Sequence, residues 1–267
     1  MGLGIIYTIV NQKGGVGKTT TAINLGAYLG ILGQRVLIVD IDPQSNATSC
    51  LGIDKNKVEG GTYDVIIGAQ PILTQILHNP KYKISLLPSS PALAGGEIEL
   101  VNLPNRESRL IQILEPIQSR YDYILIDCPP SLGLLTLNGI VAARNGVLIP
   151  VQTEYLALEG LGQLLRTINR VKNALFENLD IRGVILTMYD NRTNLSADVL
   201  REVQHYFGNK VFNTVIPRSI RLAEAPSYGM PISAFSPGSS GAESYFALAK
   251  ELLIKDQVNI PITQEVD

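Results

Sequence analysis

Cysteine and histidine are scarce in this 267-residue chain, at two each: Cys50, Cys128, His78 and His205. So small a supply excludes a disulfide framework and a zinc site built from separate cysteine pairs, and it points to a reducing compartment. Charge is also sparse. Charged residues make up 17%, and 24 acidic side chains against 22 basic ones leave a formal net charge of -2. That balance argues against a strongly basic nucleic-acid protein, so any contact with DNA or membrane must come from a local patch or from an assembly that concentrates basic residues. No apolar run reaches the roughly 18 residues of a membrane span, and Met1 to Ile6 lack the basic region of a signal peptide. Internal repeats, low-complexity tracts and linker-like composition breaks are missing as well. What the chain has in quantity is apolar material, 45% of its residues, enough for a sizeable core and too much for a disordered chain.

That material is arranged in alternating runs. Gly4 to Val10 and Arg35 to Asp40 are short, β-branched and continuously apolar, as strands buried on both faces should be. Between them, Ala22, Ile23, Leu25, Leu29 and Leu32 keep helical spacing until Gly33, which reads as a C-terminal cap. Further strands are expected at 84–87, 123–126, 147–151, 183–187 and 211–216. The clearest later helix is 156–175, with an apolar stripe of Leu158, Leu161, Leu165, Ile168, Val171 and Leu175. The alternation predicts a single doubly wound α/β domain over 1–256, a mainly parallel sheet flanked by helices, and a loose tail over 257–267.

Strand one and helix one are joined by Asn11-Gln12-Lys13-Gly14-Gly15-Val16-Gly17-Lys18-Thr19-Thr20, the position a phosphate-cradling loop must occupy. Glycines admit phosphate close to backbone N–H groups, and the helix N-terminus favours an anion. Lys18 is expected on the β- and γ-phosphates and the Thr19 hydroxyl on magnesium. At ordinary glycine frequency, a chance match to this pattern is on the order of one in ten thousand. The strict P-loop pattern has glycine where Gln12 stands, and this loop carries a second lysine, Lys13. With one lysine already serving the terminal phosphates, Lys13 is either a solvated loop residue or a charge that reaches a second subunit's nucleotide. Aspartates stand at two strand ends, where open α/β sheets bind ligands. Asp40 and Asp42 are two apart and would face one side if the strand persists, one to orient an attacking water and the other to support magnesium. Asp127 closes the apolar run Tyr123 to Ile126 as a Walker B carboxylate does.

These motifs, with Asn46 to Thr48, Asp127 to Gly133, Pro150 to Gln152, Glu154 and Tyr155, Leu158 to Gly160, Arg192 to Asn194 and Arg221 to Pro226, make the chain resemble the ParA/Soj partition ATPases of the deviant Walker A group, which includes MinD. The resemblance runs from about residue 4 to 254. It implies ATP and magnesium as cofactors, with residues 13–20 on the nucleotide: Lys13, Gly14, Gly15, Val16, Gly17, Lys18, Thr19 and Thr20. It makes Lys13 the signature lysine that crosses an ATP-sandwich homodimer, Asp42 the water-activating aspartate, Asp40 its support beside the metal, and Asp127 the Walker B aspartate. It sets Pro217 and Arg218 beside the adenine and assigns Arg192 and Arg221 to double-stranded DNA bound without sequence preference. The implied cycle is cytoplasmic and nucleoid-associated, with a ParB-like adaptor stimulating a slow ATPase to segregate chromosome or plasmid. Alternative outputs within the group are a protein cargo such as carboxysomes, or a MinD-like membrane ATPase. The charge-balanced stretch 249–257 disfavours the membrane. The chain departs from Soj-like sequences at Ser45 and Cys50, where glycine is usual, and over 236–242, where arginines are missing.

Overall fold

The computed structural model describes residues 2–154 and 157–258, the side chains of 157–160 excepted. In chain order the elements are β1 (Ile5–Ile9), α1 (Lys18–Ile31), β2 (Val36–Asp40), α2 (Asn46–Cys50), α3 (Thr62–Ile67), α4 (Ile72–Gln75), β3 (Leu77–Asn79), β4 (Ile84–Leu87), α5 (Leu93–Leu100), α6 (Arg109–Leu114), β5 (Tyr123–Asp127), α7 (Leu134–Ala142), β6 (Val147–Gln152), α8 (Ala157–Ala174), β7 (Ile181–Thr187), α9 (Asn194–Phe207), α10 (Ile220–Glu224), α11 (Ile232–Phe235) and α12 (Ser240–Lys255). The strands form one sheet in the order β3-β4-β2-β5-β1-β6-β7. All neighbours are parallel except the edge pair β3–β4.

The central strands read as continuous apolar runs because both of their faces are covered. Ile6, Leu37, Val39, Ile124 and Ile126 pack on one side with α6, α7 and α8. Tyr7, Ile9, Val36, Ile38, Tyr123 and Leu125 pack on the other with α1 and α12. Alternate residues therefore serve opposite layers, as the period of two requires. The cap at Gly33 holds: its φ is 87°, its N–H donates to the Gly30 carbonyl and that of Gln34 to Leu29.

The elements differ from expectation in a few places. Residues 211–216 run beside β7 without forming a strand. Phe212 and Ile216 donate to the carbonyls of Val184 and Leu186, but between them the N–H groups of Asn213 and Thr214 are taken by the Glu251 carboxylate on α12, at 2.7 and 2.9 Å. The edge strand β3 was not anticipated; its three residues are too short and too polar to show a period. In α8 the buried stripe is Leu161, Leu164, Ile168 and Val171. Leu165 is partly buried and packs on this core, while Leu175 lies past the helix end and is 51% exposed. The side chain of Leu158 and the tail from 259 onward lie outside the described residues.

Candidate nucleotide site

Strands β1, β2 and β5 end together. Asp127 lies level with Ile9 on one side and Asp40 on the other, so parallel registry delivers both carboxylates to the edge from which the loop 11–17 departs. Two glycines shape that loop: Gly15 has φ 74° and Gly17 has φ 87°, a left-handed backbone that side chains with a Cβ resist. The loop is also tied down. The Asn11 amide donates to the Pro150 carbonyl at 2.8 Å, Asn11 Oδ1 accepts the Lys13 N–H, and the Thr187 hydroxyl donates to the Val16 carbonyl at 2.9 Å. Among the described residues, a cavity of about 470 Å³ opens over it, lined by Gly14, Gly15, Lys18, Thr19, Asp42 and Pro130 among others.

Around this cavity Lys18, Thr19, Asp42 and Asp127 come close together. Lys18 begins α1, is only 7% exposed, and donates to the Lys13 carbonyl at 3.0 Å. Burial lowers its pKa from the usual ammonium value, while the nearby Asp127 and Asp42 charges oppose the shift. Thr19 Oγ1 donates to Asp127 Oδ2 at 2.7 Å. Asp127 is fully buried, and its second oxygen, Oδ1, has no protein partner. Burial pushes this carboxyl well above the usual range, with the Asp40 charge adding to the rise and the Thr19 hydrogen bond resisting it. A buried, unpartnered lone pair beside the Thr19 hydroxyl fits a cation or a cation-bound water. Among the described residues no cluster of three or more His, Cys, Asp or Glu side chains is arranged to hold a metal ion. Magnesium bound here would therefore take its remaining ligands from phosphate and water.

Asp40 and Asp42 do not share a strand face. Strand β2 stops at Asp40, and the Asp42 N–H turns back to donate to Asp40 Oδ1 at 3.1 Å. Asp40 Oδ2 accepts from the N–H and hydroxyl of Thr48, at 2.9 and 2.7 Å. Both oxygens of Asp40 are thus engaged, and burial raises its carboxyl to about 6. Asp42 is the one that lines the cavity. Its Oδ1 accepts from the Gln44 N–H at 2.9 Å; among the described residues its Oδ2 has no donor. Ser45, the first departure from Soj-like sequences, keeps the backbone a glycine would have, with φ 55°.

A second cavity of about 270 Å³ shares Gly17, Thr20 and Met188 with the first. Pro217 and Arg218, the residues expected beside the adenine, line it with Thr187, Met188, Ile216 and Tyr245, which sequence reasoning missed. The end of β7 was legible as a ligand-binding strand end; Ile216 and Tyr245 reach the cavity only through packing. Met188, with φ 52°, borders both cavities. Lys13 lines neither; its ammonium lies 3.9 Å from Glu154 on the surface. Arg192 and Arg221 stand apart from the cavities, 81% and 60% exposed, paired with Asp190 at 2.7 Å and Glu224 at 2.9 Å. Both cysteines are free. Burial pushes the Cys128 thiol well above its usual value and that of Cys50 to about 12, so neither is poised as a thiolate.

A parallel sheet with a glycine-rich loop at the start of its first helix, a lysine and threonine on that helix, and an aspartate at a neighbouring strand end define a P-loop nucleotide-binding protein. The profile of a family described as "AAA domain" matches residues 4–181. The chain is 54% identical to the sporulation initiation inhibitor protein Soj of Bacillus subtilis, over 94% of this chain and 98% of the relative. It is 50% identical to the chromosome partitioning protein ParA of Myxococcus xanthus, over 97% and 91%. Among solved structures, the cobyrinic acid a,c-diamide synthase of Mycobacterium smegmatis with an ATP analog and magnesium superposes with a TM-score of 0.84 at 37% identity, over 96% of each chain. The chain belongs to the Soj/ParA family of chromosome-partitioning ATPases.

Proposed function

We propose that the protein is an ATP- and magnesium-dependent switch that dimerises on ATP, binds DNA without sequence preference in that state, and is released by hydrolysis that a ParB-like adaptor stimulates. The observation that carries this reading is the division of labour between two lysines on one loop. Lys18 is buried in the phosphate cavity, whereas Lys13, five residues away, is carried on the outer face and serves no group in its own cavity. A charge so placed is suited to a nucleotide on a second copy.

In this scheme Lys18 and the loop N–H groups, including those of Gly14, Gly15, Val16 and Gly17, hold the β- and γ-phosphates. Thr19 and Asp127 would hold magnesium, which when bound would offset negative charge on the phosphates. Thr20, Pro217 and Arg218 border the nucleoside. Asp42 orients the attacking water through its open oxygen. Asp40 supports the metal side indirectly, by fixing the turn that presents Asp42. Arg192 and Arg221 contribute to a phosphate-binding surface that two-fold pairing doubles. The protein then works in the cytoplasm on the nucleoid, moving chromosome or plasmid. Among the described residues, no helix is long and apolar enough to cross a membrane.

The test is binding of the purified protein to a random-sequence duplex with magnesium and ATP, with ADP, and without nucleotide, over a salt series. ATP-only, salt-sensitive binding supports the switch. Absence of binding in all three states rejects DNA as the output, and equal binding in all three rejects nucleotide control.

A further inference from the structure

One carboxylate joins parts of the site that the scheme above treats separately. Glu154 lies just past the end of β6. Its Oε1 accepts from Gln152 Nε2 at 2.5 Å and from Arg218 Nη2 at 3.1 Å, and its Oε2 faces Lys13 Nζ at 3.9 Å. Glu154 therefore links the outward lysine of the glycine-rich loop to the arginine that borders the 270 Å³ cavity. Among the described residues Lys13 has no other ion-pair partner.

From this geometry we infer that Glu154 is a latch within the subunit. It holds Lys13 on its own surface when nucleotide is absent and gives it up when ATP arrives. The inference rests on the reading that Lys13 acts on a second subunit's nucleotide. Two couplings make the latch sensitive to the ligand. At the phosphate end, the Lys18 ammonium donates to the Lys13 carbonyl; turning that ammonium toward phosphates loosens the backbone from which the Lys13 side chain projects. At the nucleoside end, a base and ribose in the 270 Å³ cavity compete with Glu154 for Arg218, and the loss of Arg218 leaves only the Gln152 amide to orient the carboxylate toward Lys13. Lys13 and Glu154 are 42% and 43% exposed, so their attraction is screened and modest. A latch of that strength is readily opened, yet a dimer must open two of them, so the effect on assembly is squared.

The test is Glu154→Gln, which removes the charge and keeps the shape, compared with the unaltered protein and with Lys13→Gln. Dimerisation is measured by analytical ultracentrifugation with a slowly hydrolysed ATP analogue and magnesium. Neutralising two exposed pairs should tighten the dimer about five-fold in 50 mM salt. The gap from the unaltered protein should close by 300 mM salt, because screening opens the latch without mutation. A purely structural role for Glu154 would not yield a gain that salt erases. Unchanged or weaker dimerisation of Glu154→Gln at low salt overturns the latch. An ATP-induced dimer of Lys13→Gln overturns instead the reading beneath it, that Lys13 crosses between subunits.

Discussion

Asp127 has one oxygen bound by Thr19 and one with no protein partner, in a fully buried setting beside Asp40. Its raised pKa, with that of Asp40 at about 6, sets the sign of a pH effect. Both groups bind a proton more tightly folded than unfolded, where a carboxyl titrates near about 4. Their contribution to stability is complete below that value and falls as the pH rises through each raised folded value, about 6 for Asp40 and a strongly raised one for Asp127, because the ionised groups must be kept buried. The nucleotide-free protein should therefore lose thermal stability from these two groups as the pH rises from about 4 through about 6, where Asp40 ionises, and onward as Asp127 does. Asp127→Asn removes one buried charge and keeps a hydrogen-bonding partner for Thr19. It should raise the melting temperature at pH 7.5 by a few degrees, about 1 kcal/mol, and abolish the stabilisation by magnesium and ATP. Melting curves from pH 4.5 to 7.5, with and without magnesium and ATP, check both halves. Destabilisation of the ligand-free variant at pH 7.5 would mean that the charge is compensated in a way its contacts do not reveal.

At the scale of elements, the C-terminal helix is fastened at both ends. Ser239 caps α12 by accepting the Ala242 N–H, so the stretch 236–242 that lacks the family's arginines begins a helix and ends the one before it. Past the other end, Asp256 accepts from Tyr7 on β1 at 2.5 Å, Tyr123 on β5 at 2.8 Å, and Arg182 on β7 at 2.6 Å. Its side chain is 3% exposed. One carboxylate thus ties α12 to three strands of the sheet. Asp256→Ala leaves two phenols and a guanidinium without their shared acceptor and should cost about 3 kcal/mol in urea unfolding. Nucleotide affinity per folded molecule should hardly change, since these groups lie at the opposite end of the strands from the phosphate loop. A cost below about 0.5 kcal/mol would show that solvent replaces the carboxylate without penalty.

For the whole molecule, the proposed DNA binding has to be reconciled with a net charge of -2. Arg192 and Arg221 are both exposed and both paired locally, with Asp190 and Glu224. Surface pairs of this kind are weak, so each guanidinium can exchange its carboxylate for a phosphate at little cost. In the proposed dimer, pairing two subunits would double the set. Arg221→Glu should preserve the ATP-dependent dimer, weaken DNA binding at least ten-fold, and reduce the slope of log affinity against log salt by about two per dimer. Filter binding over a salt series measures both. Asp42→Ala should keep the ATP dimer while lowering its turnover about a hundred-fold or more. Single-turnover hydrolysis decides this, and normal turnover would transfer the water-orienting role elsewhere.

The glycine-rich loop and the strand ending at Asp127 were legible in the sequence because their signals are local. The positive-φ glycines, Lys18, Thr19 and the strand ending at Asp127 stand close to the elements that present them. The buried central strands were legible for a similar reason, since a strand covered on both faces must be apolar throughout. Other features depend on residues distant in sequence. Residues 211–216 are apolar enough for a strand, yet Glu251 on a helix some forty positions away takes two of their N–H groups. Asp40 and Asp42 share a parity that predicts a common face, but a turn at Asp42 divides their work, giving one to Thr48 and the other to the cavity. The pairing of Glu154 with both Lys13 and Arg218 had no sequence signal at all, because it arises only where the ends of β1, β6 and β7 meet. Sequence determined which groups could do phosphate chemistry; tertiary structure decided which oxygen stays free and which lysine is held outside, because those depend on contacts between strands that only the folded sheet brings together.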